Sequence, residues 1–342
     1  MGKLKVMAIL YAVLAALFYA INMPMSKLLL TKIAPAFMAS FLYFGAGIGI
    51  GIIYFLGKKS LGKDEESLSR SDFPYTIGMI ALDVAAPIFL MIGLASASSA
   101  NASLLNNFEI VATSLIALLV FKEVISLRLW FAILLITLSS MLLSFEDMAS
   151  FQFSYGSVLV LAAAVCWGFE NNLTRKISDK NTFQIVILKG LFSGLGSLVV
   201  ALIIGDRFPQ IQYVAYALLL GFIAYGLSIF LYVRAQKELG AAKTSAFYAI
   251  APFVGALLSF VILKETITEN YVIALIIMMA GSALVVMDTM FTSHSHLHSH
   301  AFAHAHDGNM HSHTIEHAHA HTHFLSNKKH LHSHQEEPQK HE

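Results

Sequence analysis

Ten runs of apolar residues, separated by short polar connectors, divide the first 290 positions of this chain, near 7–26, 35–56, 75–96, 102–121, 128–145, 155–173, 183–204, 211–233, 244–263 and 270–289. About 20 apolar residues at a rise of 1.5 Å cover the hydrocarbon core of a bilayer, so the pattern predicts ten transmembrane helices. The first run follows MGKLK, lacks a small-residue cleavage site and continues to Leu30, which marks it as a helix and not a signal peptide. The longest connector, GKKSLGKDEESLSRSDF at 57–73, is too short and polar for a folded extramembrane domain.

Lysine and arginine are unevenly shared between alternate connectors. With the N-terminus inside, the cytoplasmic side holds 14 of them and the opposite side 4, namely Lys27, Lys32, Arg207 and Lys264. The positive-inside rule then places both termini in the cytoplasm. The two halves of the chain also resemble each other: ASLLNNFEIVATSLIALLVFKEVISL at 102–127 aligns with TSAFYAIAPFVGALLSFVILKETITE at 244–269, an offset of 142. In this register Lys122-Glu123 falls on Lys264-Glu265, each pair closing a helix, and FYAINMPMSKLL at 18–29 matches CWGFENNLTRKI at 166–177. Five spans per half oblige the halves to sit in opposite orientations, an architecture shared by many secondary transporters.

These features resemble the drug/metabolite transporter superfamily, specifically its ten-helix EamA type. The resemblance covers about residues 5–290 and rests on the Lys-Glu pairs ending the fourth and ninth helices, Pro252 in the ninth, the small-residue-rich fifth and tenth helices and the doubled five-helix unit. Two positions depart from the pattern: Glu109-Ile110 stands opposite Ala251-Pro252, and Tyr43 stands where a basic residue is expected. The resemblance implies alternating access by an inverted repeat, with export of amino acids or other small metabolites as the commonest role.

Charges inside spans are costly, about 2.5–3.5 kcal/mol each at a helix centre, and are functional candidates by default. Four occur: Asp83, Glu109, Glu170 and Lys189. The repeat offers an internal control, because their counterparts are Ala224, Ala251, Asn22 and Tyr43; the other half keeps the fold without the charge. Asp83 and Glu109 are therefore the leading substrate or ion-pathway residues. Asp83 and Lys189 enter from the same side at similar depth and are expected to neutralise one another, although Lys189 could instead snorkel to the surface. Glu170 reads as interfacial, with Arg175 or Lys176 near enough to pair. Asn106, Asn107, Tyr19, Trp167, Asn171 and Tyr248 are candidate cavity-lining residues on the first, fourth, sixth and ninth helices. GAGIGIG at 45–51 and GLFSGLGS at 190–197 read as close helix contacts, the Lys-Glu pairs as helix ends, and Pro24, Pro87 and Pro252 as kinks or breaks.

Composition sharpens this picture. Hydrophobic residues make up 57% of the 342 positions, charged residues 13%, and the net charge is +1, so neither a soluble domain nor a nucleic-acid surface is indicated. The single cysteine, Cys166, excludes an intramolecular disulfide framework. All 16 histidines lie between His294 and His341. His294, His296, His298, His300, His304 and His306 alternate with other residues, as do His311, His313, His317, His319, His321 and His323; Phe302 and Ile315 are the exceptions. Folding about Gly308-Asn309 pairs residues whose numbers sum to 617, sets Phe302 against Ile315, and puts the histidines on one face of a hairpin. Such a face suits Zn, Ni, Co or Cu; the alternative is a disordered histidine tract.

The chain is thus read as an all-α membrane protein with two inverted five-helix repeats, 1–147 and 148–290, and a cytoplasmic tail, 291–342, that is disordered or a β-hairpin. Its expected function is secondary transport of a small polar metabolite across a prokaryotic cell membrane, with a metal-binding tail. The alternatives are a divalent metal transporter loaded by the tail and a membrane-anchored metal buffer or sensor. No cofactor for transport, no enzymatic constellation and no nucleic-acid partner are expected. The expected partners are a small-molecule substrate, the lipid bilayer, divalent metal ions on the tail and, as one option, a second copy forming a homodimer.

Overall fold

The computed structural model describes residues 3–57, 66–122, 125–147, 152–239, 244, 247–306 and 309–324. Part of the long connector, Glu123 and the histidines from His330 onward lie outside these residues. Helical segments run α1 (Lys3–Ala20), α2 (Asn22–Leu29), α3 (Pro35–Leu56), α4 (Phe73–Ser96), α5 (Ser99–Leu105), α6 (Phe108–Phe121), α7 (Leu127–Ser144), α8 (Tyr155–Arg175), α9 (Thr182–Ile204), α10 (Ile211–Gly221), α11 (Ser228–Leu239), α12 (Ala251–Leu263) and α13 (Glu269–Met290). A π-helical segment, Phe222–Leu227, joins α10 to α11, and two short strands, β1 (Phe145–Asp147) and β2 (Gln152–Phe153), pair antiparallel between α7 and α8. Merged across their interruptions, nine helices among the described residues are long and apolar enough to cross a membrane, and Ala251–Leu263 is a shorter tenth. These match the ten hydropathy runs. Large apolar residues such as Leu10, Ile52, Phe55, Ile203 and Ile276 stand exposed on the outside of the bundle, as a lipid-facing surface requires.

Local chemistry explains many of the helix ends. Pro35 and Pro74 sit in the first turns of α3 and α4, where a missing N–H costs nothing. Ser98, Ser126 and Asn181 accept from backbone N–H groups at the starts of α5, α7 and α9. The repeated Lys-Glu segments form one device: Lys122 and Lys264 adopt the left-handed conformation, at φ 56° and 54°, ending α6 and α12. Four residues after each, Ser126 and Thr268 accept from the N–H of Leu129 and Tyr271 to start the next helix. Their separation equals the repeat offset of 142.

The second helices of the two halves, α3 and α9, cross where Gly47 meets Gly190. A Cβ on Gly190 would lie 2.3 Å from the Gly47 nitrogen, so the glycine-rich runs do act as a close contact. α4 packs along α8, α1 along α11, and Ser139 of α7 donates to the Ala274 carbonyl of α13 at 2.6 Å.

The residues after Val286 form a separate unit. In it β3 (Phe291–His306) and β4 (Asn309–Phe324) pair antiparallel, with His304 opposite His311 and His294 opposite His321. This corrects the expected register: paired numbers sum to 615, not 617, leaving only Asp307 and Gly308 between the strands. Phe302 lies opposite His313, and His300 opposite Ile315, so the two exceptions do not face each other. The Phe302–Ile315 symmetry is a feature of the sequence alone and does not set the pairing, whereas Asp-Gly is a favoured two-residue hairpin sequence.

Candidate functional site

Among the described residues of the first unit, three helices are interrupted. The first span breaks at Ile21, between α1 and α2; the fourth breaks at Asn106-Asn107, between α5 and α6; the ninth turns at Ala249-Ile250, just before α12. The last two are repeat counterparts, 107 and 249 differing by 142. Proline is not the common cause: Pro87 lies within an unbroken α4, and the Asn106-Asn107 break contains none. The breaks meet at a narrow crevice lined by Tyr19, Ala20, Met23, Ser103, Asn106, Ala251 and Pro252.

Polar groups gather around this crevice. Asn106 Nδ2 donates to the Tyr19 hydroxyl at 3.2 Å, and Asn22 Nδ2 donates to the Tyr225 hydroxyl at 3.4 Å. Tyr248 and Ser228 share a hydrogen bond of 3.3 Å. Glu109 occupies the first turn of α6, where the helix dipole favours an acid, and accepts from Asn171 Nδ2 at 2.6 Å. Asn106 Oδ1 and Asn107 Nδ2 are buried and have no hydrogen-bond partner among the described residues. Most buried polar atoms are paired, so these two mark a place where a further polar group fits.

An ionic cluster lies beside it. Lys189 Nζ of α9 sits 3.1 Å from Asp83 Oδ2 of α4 and 2.8 Å from Glu170 Oε1 of α8. The Tyr43 hydroxyl donates to Asp83 Oδ1 at 2.7 Å, and Thr174 donates to Glu170 Oε1. The expected Asp83–Lys189 pair is therefore formed, and Lys189 turns inward instead of snorkelling. The interfacial reading of Glu170 is corrected: it is 2% exposed because α8 turns this face toward the bundle, and its carboxylate shares Lys189 with Asp83. Tyr43 and Lys189, repeat counterparts on α3 and α9, thus converge on one carboxylate. The cluster holds two carboxylates and one ammonium group.

Tyrosine rings join the two regions. Tyr43 and Tyr225 have centroids 5.3 Å apart, Tyr225 and Tyr19 5.9 Å, and Tyr19 and Tyr248 6.0 Å. Tyr225 comes from the π-helical segment, whose extra residue re-aims side chains and often marks functional sites. Trp167 is buried in the apolar core, 7% exposed. Sequence reasoning missed Tyr43, Asn22 and Tyr225 as members of the site. For the first two the available signal was their position opposite Lys189 and Glu170 in the repeat.

On the face where α4 ends and α5 begins, Lys27 Nζ donates to the carbonyls of Leu94, Ala95 and Ala97 at 2.6–3.0 Å. Glu265 accepts from the N–H groups of Ser99 and Ala100 at 2.7 and 2.9 Å. Cation at a helix C-terminus and anion at an N-terminus match both dipoles. The helix-end reading of Lys264-Glu265 thus extends to a helix of the other half.

Ten apolar helices, interrupted helices meeting in the bundle and a buried ionic cluster define a polytopic integral membrane protein of the transporter class. The sequence profile described as the EamA-like transporter family matches residues 6–145 and again 154–287, and the chain belongs to that family. Each match contains five of the ten helices, so the two repeats cross the bilayer in opposite directions. Curated relatives include an uncharacterized transporter of Methanothermobacter thermautotrophicus, 27% identical over 287 residues, covering 78% of this chain and 82% of the relative. Another is the uncharacterized transporter YyaM of Bacillus subtilis, 22% identical over 229 residues, covering 64% and 74%. A protein of known crystal structure superposes with a TM-score of 0.59 at 18% identity over 82% of this chain and 96% of its own, a likeness of fold.

Proposed function

We propose that this transporter moves a small polar, amino-acid-like metabolite by alternating access, binding it where the interrupted helices meet. The observation that carries this reading is the crevice at those breaks, which Asn106 lines with its Oδ1 buried and without a partner among the described residues; Asn107 Nδ2, at the same break, is likewise unpaired among them. Interrupted helices expose backbone polar groups inside a membrane only where a cavity or a ligand satisfies them. Among the described residues Glu109 accepts from a neutral amide and forms no ion pair, and so offers its charge to the ammonium group of such a substrate or to a coupling proton. Asp83, Lys189 and Glu170 form the switchable ion-pair network beside it. The 14-to-4 distribution of Lys and Arg supports cytoplasmic termini and a cell-membrane location, and the direction of transport we favour is export.

The test is uptake of radiolabelled amino acids and related amines into inverted membrane vesicles containing the full-length chain. Glu109→Gln should lower uptake at least about tenfold, the effect of losing one buried charge-assisted contact. Wild-type uptake by that variant removes Glu109 from the pathway. Collapsing the proton gradient should abolish concentrative uptake; unchanged uptake rules out proton coupling through Asp83 or Glu109.

A further inference from the structure

The second unit carries chemistry that transport through the bundle leaves unused. In the β3–β4 ladder even positions of one strand face odd positions of the other, so the six histidines of β3 and the six of β4 all occupy one face. The register does not distribute them evenly. Three histidine pairs are directly opposed in succession, His294 with His321, His296 with His319 and His298 with His317. Beyond these, His300 meets Ile315 and Phe302 meets His313, and then His304 meets His311 next to the strand-end pair His306–Asn309.

Directly opposed positions have Cβ atoms about 4.5–5.5 Å apart, and same-face neighbours along a strand follow at about twice the 3.4 Å rise. Two adjacent opposed pairs therefore place four imidazole-bearing positions within reach of one ion. From the juxtaposition of His294, His296 and His298 with His317, His319 and His321, we propose that the tail has one divalent metal site of four imidazoles, at the open end of the hairpin. The ligand class is a borderline ion that accepts imidazole, represented by Zn or Ni. In the open-end group both possible quartets use His296 and His319, so only one ion fits there. Further along the ladder His304–His311 is flanked by Phe302–His313 and His306–Asn309, so no second quartet of two adjacent opposed pairs forms there.

The register makes this count specific. The alternative pairing with sum 617 would form four successive histidine pairs at the open end and so two sites there, three in all; a tract without fixed pairing would respond only to the number of histidines removed. The experiment uses the full chain in detergent, with His330, His332, His334 and His341 changed to Asn, titrated with zinc by calorimetry and counted by metal analysis after desalting. About one zinc ion per chain is expected at micromolar metal. His296→Asn with His319→Asn should lose it, since both quartets use that pair, whereas His304→Asn with His311→Asn should keep it. His300→Asn with His323→Asn removes the same number of histidines, neither opposed by another, and should lose none. Equal losses from all three double variants, two or more ions in the parent chain, or no binding at micromolar zinc would each overturn the proposal. The outcome is independent of whether Glu109 lies on the transport pathway, because metal is counted without measuring transport.

Discussion

Replacing Lys189 with methionine should abolish transport and destabilise the bundle by about 3–5 kcal/mol, the range measured when one partner of a buried ion pair is removed. The size follows from geometry: a single ammonium group serves two carboxylates, Asp83 at 0% and Glu170 at 2% exposure, so its loss strands both. The variant should therefore show a marked fall in thermal midpoint by size-exclusion in detergent. Adding Asp83→Asn and Glu170→Gln removes the stranded charges and should restore most of the midpoint. Transport should stay lost in the triple variant, which separates a pathway role from a folding role. If the triple variant transports as well as wild type, the network is structural only. Exchanging the charges, Asp83→Lys with Lys189→Asp, tests the pair differently: its hydrogen-bonding partner Tyr43 can accept as well as donate. An exchanged chain that transports no better than either single variant would leave no functional role for the pair's electrostatic match.

What was legible in the sequence was what local chemistry decides. Hydropathy located all ten helices, because the bilayer demands a run of apolar residues whatever the packing. The helix-end role of the repeated Lys-Glu segments was legible because ending one helix and capping the next depends on near neighbours. The Asp83–Lys189 pair was legible because two opposite charges at one depth have few other ways to be neutralised. Glu170 was misread for the opposite reason: five residues from the end of α8, its environment depends on which face α8 turns toward α9, and spacing from Arg175 does not encode that. Tyr43, Asn22 and Tyr225 are neutral, so nothing in their cost singled them out among apolar neighbours. The break at Asn106-Asn107 has no glycine or proline to announce it. In the tail, symmetry between Phe302 and Ile315 pointed to one register, and the Asp307-Gly308 dipeptide to the one the strands adopt.

Widening Gly190 should have the second large effect, and it reaches the ion network through the backbone. A Cβ at this position meets the Gly47 nitrogen at 2.3 Å, the Gly47 Cα at 2.4 Å and the Tyr43 carbonyl oxygen at 2.8 Å. All three are main-chain atoms, so no rotamer change relieves the clash and α3 and α9 must separate. Tyr43 rides on α3 and Lys189, the residue before Gly190, rides on α9; both reach Asp83, Tyr43 through Oδ1 and Lys189 through Oδ2. Gly190→Ala is expected to cost about 1–3 kcal/mol, as overpacking does, and Gly190→Val more. Transport should fall further than stability alone explains, at least about tenfold for Gly190→Val, since a shift of about 1 Å is enough to misalign a charged site. Gly51→Ala is the matched control within the same glycine run, because an added Cβ there has nothing within 4 Å. If Gly190→Ala retains both its thermal midpoint and wild-type transport while Gly51→Ala does the same, close approach of the two repeats at Gly47 and Gly190 is not what holds Tyr43 and Lys189 on Asp83.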